Sequence, residues 1–315
     1  MEGQNIGLEQ IKQEIKKVIV GKDKVIEQVI MAILAKGHIL IEDIPGVGKT
    51  TLALALSKAL QLDYRRMQFT PDVLPGDVVG FHIYTREGGS QYHPGSVLCN
   101  LFLADEINRT SSKTQSALLE VMEEGRVTVD GVTRELPKPF IVIATQNPVG
   151  SVGTQMLPES QMDRFMVRLS MGYPDISSEI EMLKERDEGN PLAQVQQVIT
   201  RRELIVLQQE VERVFIHDAV YEYIAHLVQK TRENPMILLG VSPRGTIAIS
   251  KMAKAVAYWK NRGYVIPDDV SSVFEAVTAH RMVLSPKARV NRITIQELAA
   301  QVLSSVTAPR LVFRS

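Results

Sequence analysis

Three short stretches carry residues of the types that handle phosphate. "IEDIPGVGKTT" (41–51) follows an apolar run and opens the helical stretch "TTLALALSKAL". Glycines in such a loop let backbone N–H groups face a phosphate, the helix N-terminus adds positive potential, and Lys49 would neutralise the β- and γ-phosphates of a nucleotide. Pro45, Gly46, Val47, Gly48 and Thr51 complete the cradle, and Thr50 would hold a magnesium ion. The first position of the GxxxxGK[ST] pattern is Asp43 instead of glycine. A Gly-rich turn beside a surface lysine is the plain alternative, but strand, loop and helix follow in the order that phosphate binding requires.

"LFLADE" (101–106), roughly 55 residues downstream, ends an apolar run in two acids. Asp105 would bind magnesium, and Glu106 stands where a base could take a proton from an attacking water. Two acids also suit an ordinary solvated strand end, and the upstream loop is what favours the catalytic reading. The run "FIVIATQNP" (140–148) ends in Asn147, whose neutral amide could orient that water without competing for the metal. Asn before Pro is a common turn as well.

These residues need a scaffold that gathers strand ends. The runs at 38–43, 100–106 and 140–148 are short and apolar on both faces, as buried parallel strands covered by helices are. "FHIYTREGGSQYHPG" (81–95) reads as a hairpin turning at Gly88-Gly89, and "RVTVDGVTREL" (126–136) as another turning at Asp130-Gly131. After "DEGNPL" (187–192) the pattern becomes helical. Thr200 and Glu203 have capping-box spacing, and helical periodicity recurs near 218–232, 244–261, 268–283 and 294–305 without strand-like alternation. The expected architecture is an α/β core over 1–195, with a parallel sheet and two inserted hairpins, followed by an all-α lid over 196–315.

Composition bounds the setting. With 315 residues, 44% of them hydrophobic, the chain can build two domains. A single cysteine, Cys99, with no bilayer-length apolar run and no signal peptide, points to the cytoplasm and against stable membrane insertion. Lys plus Arg and Asp plus Glu both total 36, so there is no net basic footprint for nucleic acid. The balance is uneven, with 16 basic and 10 acidic residues over 201–315. That asymmetry is either two solvated surfaces or one protomer's basic C-terminal part docking on its neighbour's acidic N-terminal part.

The runs "HILIEDIPGVGKTTLA", "QFTPDVLPGDVVG", "PGSVLCNLFLADEINR", "KTQSALLEVMEEGRVTVDG", "PFIVIATQNP", "GTQMLPESQMDRF", "GYP" and "GVSPRG" together resemble the MoxR family of AAA+ ATPases, over the whole chain. "EDIPGVGKT" is similar to the form this family uses, Asp43 included. "VGSVGTQM" (149–156) departs from it, since the family more often has acidic residues and Tyr-Pro there. The resemblance implies an AAA+ αβα core in which the hairpins are the helix-2 and pre-sensor-1 inserts. It makes Asn147 similar to sensor 1, Arg164 in "MDRF" to the arginine finger, Arg244 in "SPRG" to sensor 2, and Val20-Gly21 to the adenine-side motif. It further implies ATP and magnesium, a homo-oligomeric, hexameric ring, and remodelling of an unnamed client in metal or cofactor insertion or complex maturation. A von Willebrand factor A domain protein is the implied partner.

The residues alone leave the arginines open. Ser242 and Pro243 form an N-cap and first helical position, which puts Arg244 in a first turn where a cation opposes the helix dipole by ~0.3–1 kcal/mol. An anion should compensate it. Arg164 could simply pair with Asp163 or Asp175, and Arg168 and Arg109 compete for any contact between subunits. A nucleic-acid motor and a metal-chelatase motor subunit are the rival functions. Mixed charges on the hairpins (Arg86, His93, Arg126 and Arg134 against Glu87, Asp130 and Glu135) speak against tracking a nucleic-acid backbone.

Overall fold

Alternate residues of the three apolar runs face opposite sides of one sheet. Ile39, Ile41, Leu101, Leu103, Ile141 and Ile143 join the core on one side, and Leu40, Phe102, Ala104, Val142 and Ala144 join that on the other. Period-two alternation with both faces apolar is what a strand sandwiched between helix layers requires. The computed structural model describes residues 2–84, 89–147, 157–187 and 189–310. Gly88, Arg86 and Glu87 of the first hairpin, and the segment 149–156, lie outside them.

Helices α1 (Glu2–Lys16) and α2 (Asp23–Leu34) precede β1 (Ile39–Glu42), and α3 (Lys49–Ala59) leads to β2 (Tyr64–Gln68). A short α4 (Pro75–Val79) enters the antiparallel pair β3 (Gly80–Tyr84) and β4 (Ser90–Pro94). Then come β5 (Leu101–Asp105), a 3-10 turn at Ile107–Arg109, α5 (Ser112–Glu124), and the second hairpin, β6 (Arg126–Val129) with β7 (Val132–Glu135). Its turn residues Asp130 and Gly131 both have positive φ, as a two-residue hairpin turn of type I′ demands. The core closes with β8 (Ile141–Gln146), α6 (Glu159–Met162), β9 (Val167–Leu169), α7 (Ile176–Asp187) and α8 (Pro191–Gln194).

The five long-range strands pair in the order β2-β5-β8-β1-β9, and every pairing is parallel. The ends of β5, β8 and β1 are therefore neighbours, and the crevice beyond the carboxyl ends of such strands is where open α/β sheets bind ligands. Two strands escaped the sequence pattern. β2 carries Arg65, Arg66 and Gln68 on a sheet edge, and β9 has only three residues.

The C-terminal part contains α9 (Arg201–Glu212), α10 (Asp218–Glu233), β10 (Ile237–Leu239), α11 (Pro243–Trp259), α12 (Pro267–Thr278), β11 (Val283–Leu284), α13 (Pro286–Val290) and α14 (Ile295–Ser305). Thr200 and Glu203 form the expected capping box, each side chain bonding the other's backbone N–H. The helical reading gains an antiparallel ribbon of β10 with β11, too short to show alternation, and an isolated parallel bridge between Phe215 and Tyr264. The periodicity near 268–283 also overruns its helix. α12 stops at Thr278, and the buried residues His280, Arg281 and Met282 carry the chain on to β11.

The helical part has no separate core, since its buried residues form one continuous cluster with α1, α2, α3 and one face of the sheet. Arg281 fastens the seam. Its side chain is only 2% exposed and donates through Nε to Asp163 Oδ1 at 2.7 Å, and through Nη2 to the carbonyls of Asp163 (3.0 Å) and Phe165 (2.6 Å). Ser242 Oγ, at the start of α11, donates to the same Asp163 carboxylate at 2.8 and 2.9 Å. Removing one partner of a buried pair leaves an uncompensated charge. Asp163→Ala is therefore expected to lower the unfolding free energy by about 3–5 kcal/mol, read from urea denaturation at neutral pH.

Candidate functional site

The phosphate-type loop owes its shape to two left-handed glycines and one buried acid. Gly46 (φ 87°) and Gly48 (φ 93°) take conformations that side chains with a Cβ resist, and Gly48 caps α3. Asp43, where the common pattern has glycine, is 6% exposed. Its Oδ1 accepts from Ile44 N (3.0 Å), and its Oδ2 from Met171 N (2.5 Å), Gly172 N (2.7 Å) and Ser170 Oγ (3.2 Å). The carboxylate thus ties the loop to the segment that follows β9. Glycine could not do this.

Lys49 is buried, and its Nζ donates to the carbonyls of Asp43 (2.8 Å) and Ile44 (3.2 Å). Burial lowers its pKa, while Asp105, Asp43 and Glu106 pull it back up. On the adenine side expected for Val20-Gly21, Gly21 has φ 71°, and a Cβ there would meet Ser178 Oγ at 2.1 Å. Lys22 Nζ donates to the Tyr173 carbonyl at 2.8 Å, which latches this turn to the start of α7.

Strand register assembles the remaining groups. Ala104 pairs with Ala144 and Glu42 with Gln146, so Asp105, Glu106, Thr145 and Asn147 emerge together beside the loop. Thr145 Oγ1 donates to Asp105 Oδ1 at 2.6 Å, and Asp105 Oδ2 receives Arg66 Nε (3.2 Å) and Nη2 (2.7 Å). Glu106 has φ 55°, a left-handed conformation uncommon for a non-glycine residue and typical of functional sites. Its backbone N–H is held by Thr145 Oγ1 (2.8 Å), its Oε1 accepts from Asn147 Nδ2 (3.1 Å), and its Oε2 pairs with Arg109 Nη1 (2.8 Å). Asn147 Oδ1 is buried without a partner among the described residues, an acceptor suited to a water O–H.

Among the described residues there is no cluster of three His, Cys, Asp or Glu side chains able to hold a metal by themselves. A divalent ion here would need phosphate oxygens, with the Thr50 hydroxyl and the Asp105 carboxylate as protein donors. The donor set fits a hard, oxygen-seeking cation. Asp105 has about four lone-pair sites, three of which face Arg66 and Thr145, so one remains.

A cleft of about 1130 Å³ is lined by Val20, Pro45, Gly46, Val47, Gly48, Lys49, Thr50, Thr51, Asp105 and Glu106, with Arg66 and parts of α7 and α8. Asn147 reaches it through Glu106. Neither Arg164 nor Arg244 lines it, and among the described residues none beyond Leu192 does. Both arginines meet elsewhere, on the carboxylate of Glu123 near the end of α5: Arg164 Nη1 donates to Oε2 and Arg244 Nη2 to Oε1. This is the anion that Arg244 needed. The competing arginines are engaged within the chain, Arg168 with Glu42 (2.9 Å) and Arg109 with Glu106. Sequence reasoning missed Arg66, Arg281 and Glu123. Nothing local marks a strand arginine or a helical glutamate whose partners are distant in the chain.

The profile described as "ATPase family associated with various cellular activities (AAA)" matches residues 38–167, and that of an AAA lid domain matches 229–306. YeaC of Bacillus subtilis, described as uncharacterized, is 48% identical over 94% of this chain and 93% of its own. Chaperone MoxR1 of Mycobacterium tuberculosis is 37% identical over 96% of this chain and 83% of its own. A crystal structure of a candidate ATPase from Cytophaga hutchinsonii superposes with a TM-score of 0.90 at 37% identity, covering 97% of this chain and 96% of that one. Sheet order, loop and helical C-terminal part define an AAA+ ATPase with an α/β core and a helical lid. The likeness to MoxR1 spans most of both chains. The chain belongs to the MoxR family of AAA+ ATPases.

The Asp43 tie can be tested directly. Asp43→Ala strands the N–H groups of Met171 and Gly172, and an unsatisfied buried donor costs about 1–3 kcal/mol. The variant is expected to melt at lower temperature and to bind ATP more weakly than the parent in calorimetric titration.

Proposed function

We propose that the protein hydrolyses ATP to ADP and phosphate with magnesium, and that it works as a ring in which each site is completed by a neighbour. The observation that carries the chemistry is Glu106, held in a left-handed turn with its carboxylate against Asn147 and beside Lys49 and Asp105. In this reading Lys49 and the loop amides bind the phosphates, Glu106 takes the proton of the attacking water, and Asn147 Oδ1 accepts that water's second O–H. Magnesium, held by Thr50 and Asp105, would neutralise phosphate charge as it develops. Val20 and Gly21 would face the adenine.

Arg164 and Arg244 would act on a neighbour's nucleotide, since their own cleft is lined without them and phosphoryl transfer calls for a further cation. We place the boundary between core and lid near residue 195. A hexamer is the ring size proposed from the family.

The output we propose is mechanical work on a client protein. MoxR1, described as a chaperone, supports this reading, and the hairpins favour protein over nucleic acid. Among the described residues of the hairpins, Arg126 pairs with Glu124, Arg134 lies over the Tyr92 ring at 3.7 Å, and His82 faces Asp130. A von Willebrand factor A domain partner rests on the family resemblance alone, as do insertion of metal or cofactor and maturation of complexes. No helix among the described residues is long and apolar enough to cross a membrane, which is compatible with the proposed cytoplasmic location.

Glu106→Gln is expected to bind ATP as the parent does and to lose about 10²–10⁴-fold in turnover, the usual worth of a positioned base. Equilibrium ATP binding and steady-state phosphate release separate the two effects. Parental turnover in this variant would remove Glu106 from the role of base.

A further inference from the structure

Glu123 stands where three distant parts of the chain meet. It lies on the last turn of α5, Arg164 follows α6, and Arg244 is the second residue of α11 in the helical C-terminal part. Each carboxylate oxygen takes one guanidinium, which brings the two arginines within the width of one carboxylate of each other. Arg164 Nη1 is fixed further by the Leu119 carbonyl at 2.9 Å.

Stability does not explain this arrangement. The side chains of Arg164, Arg244 and Glu123 are 30%, 42% and 42% exposed, and ion pairs exposed to that degree contribute about 0–1 kcal/mol. One carboxylate against two guanidiniums also leaves the cluster with a net positive charge. Arg244 adds to it at the N-terminal turn of α11, which has no acidic residue of its own. The surplus is a standing attraction for an anion.

The donors left over suit such a ligand. A guanidinium has five N–H donors, and Glu123 engages one terminal nitrogen of each arginine. Arg164 Nη2 and Arg244 Nε and Nη1 make no hydrogen bond to the described residues, whereas Arg164 Nε is enclosed by the chain. Guanidinium N–H groups of this kind can each donate to a phosphate oxygen. Register between the arginines is set from below, because Asp163, next to Arg164, is clamped by Arg281 and by Ser242, two residues before Arg244.

We propose that Glu123 is a positioning residue that gathers Arg164 and Arg244 into one two-guanidinium anion site, filled by the terminal phosphate of the ATP bound in the cleft of a second copy of this chain. Glu123 keeps its two hydrogen bonds when the phosphate arrives and aims the remaining donors. The proposal rests on the reading that Arg164 and Arg244 act across subunits.

The test uses the full-length protein as Glu123→Gln and Glu123→Asp, beside Arg164→Ala and Arg244→Ala, with thermal melting and sedimentation confirming fold and assembly. Glu123→Gln keeps the shape and removes the charge. It is expected to lower kcat about 10–100-fold, as an ångström-scale misplacement does, with a smaller change in KM for ATP, because Lys49 and the loop that bind the nucleotide are unaltered while the neighbour's arginines are misaimed. Glu123→Asp should recover part of the loss. Parental or faster turnover in Glu123→Gln, or a change confined to KM, overturns the proposal if Arg164→Ala and Arg244→Ala are slow. Parental turnover in both arginine variants would instead overturn the cross-subunit reading, and the proposal with it.

Discussion

A guanidinium buried where the helical part meets the sheet decides the layout of this molecule. Arg281 cannot be solvated there, so it must spend its donors on Asp163 and on the carbonyls of Asp163, Phe165 and Met166. That requirement fixes the lid against the segment bearing Arg164, with α11 and α9 packed on α2 and α12 on β9. Placed so, the lid adds none of its described residues to the lining of its own cleft. An arginine in the first turn of α11 then sits beside Arg164 and apart from Lys49.

The cleft follows from a different constraint, the register of a parallel sheet. Once β5, β8 and β1 are adjacent, an acid pair, an amide and a phosphate-type loop at their carboxyl ends come together, whatever the rest of the chain does. The local strain at Glu106 is held by Thr145, Asn147 and Arg109, so the side chain has a set direction. Asp43 performs the equivalent service for the loop, with four hydrogen bonds to its carboxylate.

What could be read from the sequence was what is contiguous in it. The strands at 39–42, 101–105 and 141–146 announce themselves because both faces are buried, and Thr200 with Glu203, or Ser242 with Pro243, mark helix starts within four residues. The edge strand at 64–68 does not, since its arginines serve the site and the surface instead of the core. The site divides in the same way. Lys49, Thr50, Asp105 and Glu106 belong to local motifs, whereas Arg281 and Asp163 are 118 positions apart, and Arg244 and Glu123 are 121. The helix dipole at Arg244 required an anion, but no local rule could say that it would be Glu123 or that Arg164 would share it.

Completion of each active site by a neighbouring subunit is the claim on which the account turns, and subunit mixing tests it most directly. Arg164→Ala and Lys49→Ala proteins are each expected to be inactive. Mixed and allowed to exchange, they form some interfaces that join an intact Arg164 to an intact Lys49, and the account predicts that ATP hydrolysis rises above the sum of the separate proteins. Activity that stays at that sum, in assemblies shown to have exchanged subunits, would contradict it and return Arg164 to a role within its own chain.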